Sequence, residues 1–232
     1  MLRRVLRPWL WAVFCLGALP ALADRGEWYI EGTLQPGFAW LTHPSLLAEA
    51  RSSGDDAKSP PPSTSGFAPG GGLSLRYGLT NELHVGAGLL GSGAWSLKTP
   101  NVTLGGASGD LYAGTYLELA APLSASWRFD TGYSFSGLVE LQAGPVLAYT
   151  GQSALADPNR LDEAGLPMTL PLEIPDVWSF GAMGRAQVLF EARLADGFVL
   201  ALGPYAGVAV TDGVSVQAGL VLRPAWVMGG WL

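Results

Sequence analysis

Four glutamates, Glu31, Glu118, Glu140 and Glu191, and four arginines, Arg76, Arg185, Arg193 and Arg223, recur along a chain of 232 residues. Each sits within a run where apolar and polar residues alternate. Carboxylates and guanidiniums in equal number form charge-assisted pairs, which out of water serve either as a switchable gate or as a packed polar core. Gln35, Gln142, Gln187 and Gln217 share the polar face and supply neutral partners. A plugged, packed core is the expectation. The spacing His43-Pro44-Ser45, with Glu49 nearby, is the one arrangement suited to a nucleophile and its base. Pro44 breaks the strand geometry such a dyad needs, so no catalytic residue is expected. His84, beside a short turn, is expected to point inward as a satisfied interior residue. Two histidines without clustered carboxylates make no transition-metal site, and no cofactor or metal is implied.

The elements that must position these charges are strands. In Trp28 to Leu41 the even positions Trp28, Ile30, Leu34, Phe38 and Trp40 are apolar, whereas Tyr29, Glu31, Thr33 and Gln35 carry polar groups. Trp178 to Leu194 repeats the pattern, with Arg185, Gln187, Glu191 and Arg193 opposite Phe180, Val188 and Phe190. Period two means a strand with two chemically different faces. Eight such runs are predicted: 27–41, 67–79, 83–95, 111–129, 135–150, 177–194, 198–210 and 214–227. In the fourth, Pro122 marks an end or a bulge. The connections alternate between long loops (Thr42 to Gly66, Ser96 to Asp110, Gly151 to Asp176) and short turns (Thr80-Asn81-Glu82, Asp130 to Tyr133, Ala195-Asp196-Gly197). Thr211-Asp212-Gly213 breaks the rhythm by being short where a long loop is due. Glycines on the inward face, such as Gly86, Gly144, Gly203 and Gly219, leave room for long charged neighbours.

Composition narrows the class. Hydrophobic residues make up 49% of the chain and charged ones only 14%, below the roughly 25% of soluble domains. Arg3, Arg4 and Arg7, an apolar stretch from Trp9 to Leu19 too short to span a bilayer, and Ala21-Leu22-Ala23 form a secretory signal, so residues 1–23 are expected to be removed. That leaves a single domain over 24–232. Its loss of three arginines takes the net charge of −6 further negative, with no basic patch for nucleic acid. The lone Cys15 lies within the apolar stretch after Phe14, which does not fit a lipoprotein signal. Beyond Asp24 no apolar run is long enough for a membrane-spanning helix.

Alternation alone suits a soluble eight-stranded barrel as well. The strand lengths and the aromatics favour a membrane. Trp40, Trp95, Tyr149 and Trp178 collect at the long-loop end, and Trp28, Tyr77, Trp127 and Trp226 at the short-turn end, as two girdles. Trp28 and Trp40 lie about 30 Å apart along a barrel axis at a strand tilt near 40°. The predicted fold is an all-β, eight-stranded antiparallel up-and-down transmembrane barrel.

Signal peptide, eight alternating strands, short turns at one end and a charged interior together resemble the small outer-membrane barrels of the OmpA-type and OmpW-type superfamily, over the whole expected mature chain. The resemblance implies loops outside, both termini in the periplasm, and a surround of outer-membrane lipid and lipopolysaccharide, with envelope proteins as further partners. Family barrels usually end in an aromatic residue; here Trp231 is penultimate and Leu232 last. A narrow channel for small or hydrophobic solutes and a lipid A-modifying enzyme are the alternatives the resemblance brings. Asp157, Asp162, Glu163, Glu173 and Asp176 make the third long loop acidic, read as a solvated surface.

Overall fold

The computed structural model describes residues 26–42, 63–95, 97–104, 107–113, 115–130, 135–151, 153–161, 163, 165, 167–174, 176–195 and 197–229. The expected signal peptide, His43-Pro44-Ser45 with Glu49, and Trp231 and Leu232 lie outside them. The described residues form strands that stack end to end into eight staves. The first stave is β1 (Trp28–Gln35) with β2 (Gly37–Thr42), and the second β3 (Ser63–Phe67) with β4 (Gly70–Gly78). The third joins β5 (Leu83–Ala94) and β6 (Leu97–Leu104), and the fourth β7 (Ala107–Ala113), β8 (Tyr116–Ala120) and β9 (Leu123–Asp130). The fifth is β10 (Phe135–Thr150) with β11 (Ser153–Leu161), and the sixth β12 (Pro167–Ile174) with β13 (Val177–Ala195). The staves β14 (Phe198–Val210) and β15 (Val214–Met228) complete the wall.

All pairings are antiparallel, and β15 closes on β1 and β2. From Trp28, pairing partners run through Tyr77, Val85, Ala125, Leu141, Ala186, Ala206 and Ala218 to Phe38, ten residues further along the first stave. At about 3.3 Å per residue and 4.8 Å between strands, that stagger in eight staves tilts them by about 41°. No sheet edge remains around the closed part of the wall.

Pro36 and Pro122 interrupt their staves without shifting them. Leu34 pairs Leu222 below Pro36 and Gly37 pairs Gly219 above it, in one frame. Ala120 faces Val146 and Leu123 faces Ala143 on either side of Pro122, again in one frame. A proline removes one amide donor but leaves the neighbouring pairs intact. Pro122 therefore neither ends the fourth stave nor slips it.

The second and third long connections differ from the sequence reading. Much of Ser96 to Asp110 is strand, β6 pairing with β7, and much of Gly151 to Asp176 is the hairpin β11 with β12. Together with β3 these strands pair in the order β3, β6, β7, β11, β12 beyond the girdle at the long-loop end. The last hairpin stays short, turning over at Thr211-Asp212-Gly213, and among the described residues β12 pairs with β11 alone. The outer rim is thus a raised crescent with a low side.

The two faces are chemically opposite. Outward positions are apolar, many of them large, with Leu123 68% and Phe180 72% exposed, whereas Glu31, Arg76, Glu140, Gln187, Glu191 and Arg223 are buried inside. Aromatic pairs mark both ends of the apolar band: Trp28 lies against Tyr77 (4.7 Å between centroids) and Trp226 against Phe198 (5.7 Å), and at the other end Trp178 lies against Tyr149 (4.9 Å). Trp40 and Trp95 are exposed and Trp127 half-buried on the same outward face.

Candidate functional site

The lumen is built because every second residue of each stave must point inward, and the inward positions were assigned charge, amide or small apolar groups. In the lower lumen, toward the short turns, Arg76 is the hub. Its Nε donates to Glu31 Oε1 (2.8 Å) and its Nη2 to Glu191 Oε1 (2.6 Å), while its guanidinium lies 4.3 Å from the centroid of the Tyr29 ring. Arg223 Nη1 donates to Glu140 Oε2 (2.6 Å), its Nη2 reaches Glu140 Oε1 (3.3 Å), and its Nη1 lies 3.4 Å from Glu31 Oε2. Glu31 thereby bridges both arginines. These side chains rise from β1, β4, β10, β13 and β15, so the pairs tie together staves far apart in sequence.

Neutral groups complete the lower network. Ser74 Oγ donates to Glu31 Oε2, and Gln142 and Gln187 both donate to Glu140 Oε1. Arg128 Nε lies 3.6 Å from Glu191 Oε2, and the Tyr29 hydroxyl donates to Glu27 Oε2 (3.0 Å). Arg128, Ser74 and Glu27 were not among the residues singled out from sequence. His84 is buried there, its ring edge-on to Tyr29. Arg193 is placed differently from the reading above. It stands at the rim, its side chain 47% exposed and 3.6 Å from Glu27, because it lies near the end of its stave, where the inward direction opens to water.

The upper lumen uses the same residue types without a close ion pair between them. Glu118 accepts from the Tyr116 hydroxyl (2.8 Å), Ser215 Oγ (3.1 Å) and Gln217 Nε2 (3.0 Å). Arg185 Nη1 donates to Gln35 Oε1 (2.7 Å), and its guanidinium rests on the Tyr205 ring at 4.8 Å. Tyr205 can lie there because Gly37 and Gly219 leave its path clear; a Cβ on Gly37 would collide with its hydroxyl. A hollow of about 10 Å³, lined by Glu118, Met183, Arg185 and Gln217, separates the two charges. Arg185 Nε and Gln217 Oε1 are buried without a protein partner, and the space suits one water.

Between and around these polar groups the lumen is filled by apolar residues. Leu138, Leu189, Ala201, Tyr205 and Val221 form one buried cluster, Ala120, Val146, Met183 and Ala209 a second, and Ala39, Leu41, Ala94 and Tyr116 a third near the outer end. Eight staves enclose an interior just wide enough to be filled by side chains.

A continuous apolar exterior around a polar, ion-paired interior suits hydrocarbon outside and protein inside. The chain folds as a small eight-stranded barrel of the outer-membrane type. No family model and no curated protein matches the sequence. Among solved structures, the barrel is similar to Ail, the attachment invasion locus protein of Yersinia pestis, at 13% identity, 88% of this chain, 99% of that chain and a TM-score of 0.42. It is also similar to Neisserial surface protein A (13% identity, 86% and 98% covered, TM-score 0.44) and to the outer membrane protein OprG of Pseudomonas aeruginosa (13%, 89% and 98%, 0.42).

Proposed function

We propose that the protein is a non-enzymatic component of the outer envelope, a plugged barrel set in outer-membrane lipid and lipopolysaccharide whose raised crescent presents a surface to an envelope partner. The filling of the lumen carries this reading. Arg76, Arg223, Glu31, Glu140 and Glu191 are buried and mutually paired, and apolar clusters pack above and below them. Opening a water path through that layer would separate buried charges, which costs several kcal/mol per unpaired ion.

A second reading, a narrow channel for small or hydrophobic solutes, draws on the upper lumen. There Glu118 and Arg185 are held by neutral groups with a water-sized hollow between them, so that layer has two charges free to exchange partners. Planar-bilayer conductance of the purified barrel, with folding checked by heat-modifiable gel migration, separates the readings. The expected result is no reproducible channel. Discrete, salt-dependent openings that change when Arg185 or Glu140 is neutralised would replace the plugged reading with the channel.

A further inference from the structure

The outward face carries leucine, phenylalanine and tryptophan at many positions, with alanines and glycines between them, and at one place the small residues border a hollow. Along β5 the outward positions pass from Val85, Ala87 and Leu89 to Gly91 and Gly93, which carry no side chain; Gly91 is half-buried, and Gly93 is buried beneath Leu117 and the Trp95 ring. A Cβ placed on Gly91 would meet only the Glu118 and Gly71 carbonyl oxygens, at 3.9 and 4.0 Å, which is ordinary contact. Nothing in the fold therefore demands a glycine at that position. At Gly93 the neighbours are closer, with Leu117 Cδ2 at 3.0 Å and the Trp95 ring at 3.3 Å.

The surroundings turn the bare strip into a furrow. Gly91 and Gly93 pair with Leu119 and Leu117 of β8, and Leu119 pairs with Leu147 of β10. Pro69 closes the opposite side, its carbonyl accepting from the Gly93 amide (3.0 Å). Trp95 and Trp178 stand at the outer end, 52% and 64% exposed. The hollow so bounded measures about 400 Å³ and opens away from the lumen.

We propose that this furrow is a binding site for one saturated acyl chain of lipid A in the outer leaflet. The furrow is continuous with the bilayer-facing belt, so hydrocarbon is the medium that reaches it. A void in that belt forfeits dispersion contacts along its whole lining, and a straight methylene chain recovers them. With the long loops outside and lipopolysaccharide around the barrel, on which this inference shares the reading of the proposed function, its place at the long-loop end, below Trp95 and Trp178, puts it in the outer leaflet. Indole N–H groups at that level suit the polar sugar and phosphate of the same molecule. Ser92 and Glu118 border the hollow on its lumen side, but a chain held in it lies on the outward face, so the inference stands whether or not the lumen conducts.

The test is native mass spectrometry of the full chain, refolded in detergent and given lipid A or, separately, phosphatidylethanolamine. Gly91→Leu fills the furrow, and Gly184→Leu adds the same side chain at an outward glycine where a Cβ meets nothing within 4 Å. Trp95→Ala removes a wall without filling anything. Heat-modifiable migration confirms that each variant is folded, and Trp95→Ala serves if Gly91→Leu does not fold. The proposal expects one retained lipid A on the wild type and on Gly184→Leu, lost from Gly91→Leu and weakened in Trp95→Ala. Equal retention by the wild type and the folded furrow variants overturns it, as does retention of phosphatidylethanolamine in preference to lipid A, or of neither lipid.

Discussion

In the lower lumen Arg76 and Arg223 touch Glu31, Glu140 and Glu191 directly, at 2.6 to 3.4 Å. In the upper lumen Glu118 rests on two hydroxyls and an amide, and Arg185 on an amide oxygen and an aromatic face. Both layers bury full charges inside the same barrel, yet they depend on them differently. In the lower layer each charge is the solvation of another, so loss of one strands its neighbour. In the upper layer each charge is solvated by dipoles that would remain if the other were removed. The lower layer is therefore a cross-brace between staves, and the upper layer is a pair of independently held charges.

The sharpest way to break this contrast is Arg223→Met. It leaves Glu140 without its closest cation and Glu31 with one of two, and a stability loss of about 3–5 kcal/mol is expected, read by urea unfolding in lipid vesicles followed by tryptophan fluorescence. Adding Glu140→Gln should restore much of that loss, since the stranded charge is then gone. An additive double variant would show that Arg223 acts by packing rather than by pairing. Glu118→Gln comes next, at about 2 kcal/mol, because three donors keep an oxygen acceptor nearby but lose a charged one. A cost as large as that of Arg223→Met would mean that Glu118 and Arg185 act as one unit after all. Arg193→Ala is the smallest, about 0.5 kcal/mol, since its partner Glu27 lies 3.6 Å away at an open rim. In 1 M salt this last effect should vanish, while that of Arg223→Met persists.

Strict alternation made the barrel legible before any coordinates. Trp28 to Leu41 and Trp178 to Leu194 show the two faces residue by residue, and the eight runs correspond to the eight staves. The crescent was harder to read because turn-forming residues interrupt its segments: Pro100 and the Gly105-Gly106 pair in one, and Pro158 and Pro171 in another, although Met168, Leu170, Leu172 and Ile174 alternate with Thr169 and Glu173. In the lumen, charge drew attention to Glu31 and Arg76 but away from Leu138, Leu189 and Val221, which point inward too. They sit where both faces are apolar, as in Leu138-Val139 and Val188-Leu189-Phe190, so alternation falls silent there. Parity also assigns a side and not a depth, which is why Arg193 reads like Arg185 although one is at the rim and the other inside.

The low side of the crescent has a consequence for how these molecules meet each other. Among the described residues β12 pairs with β11 alone, on the side of the Thr211-Asp212-Gly213 hairpin, and an edge of that kind is a template for a neighbouring strand. Pro167 and Pro171 remove two of its amide donors. Barrels crowded side by side are thereby discouraged from fusing edge to edge.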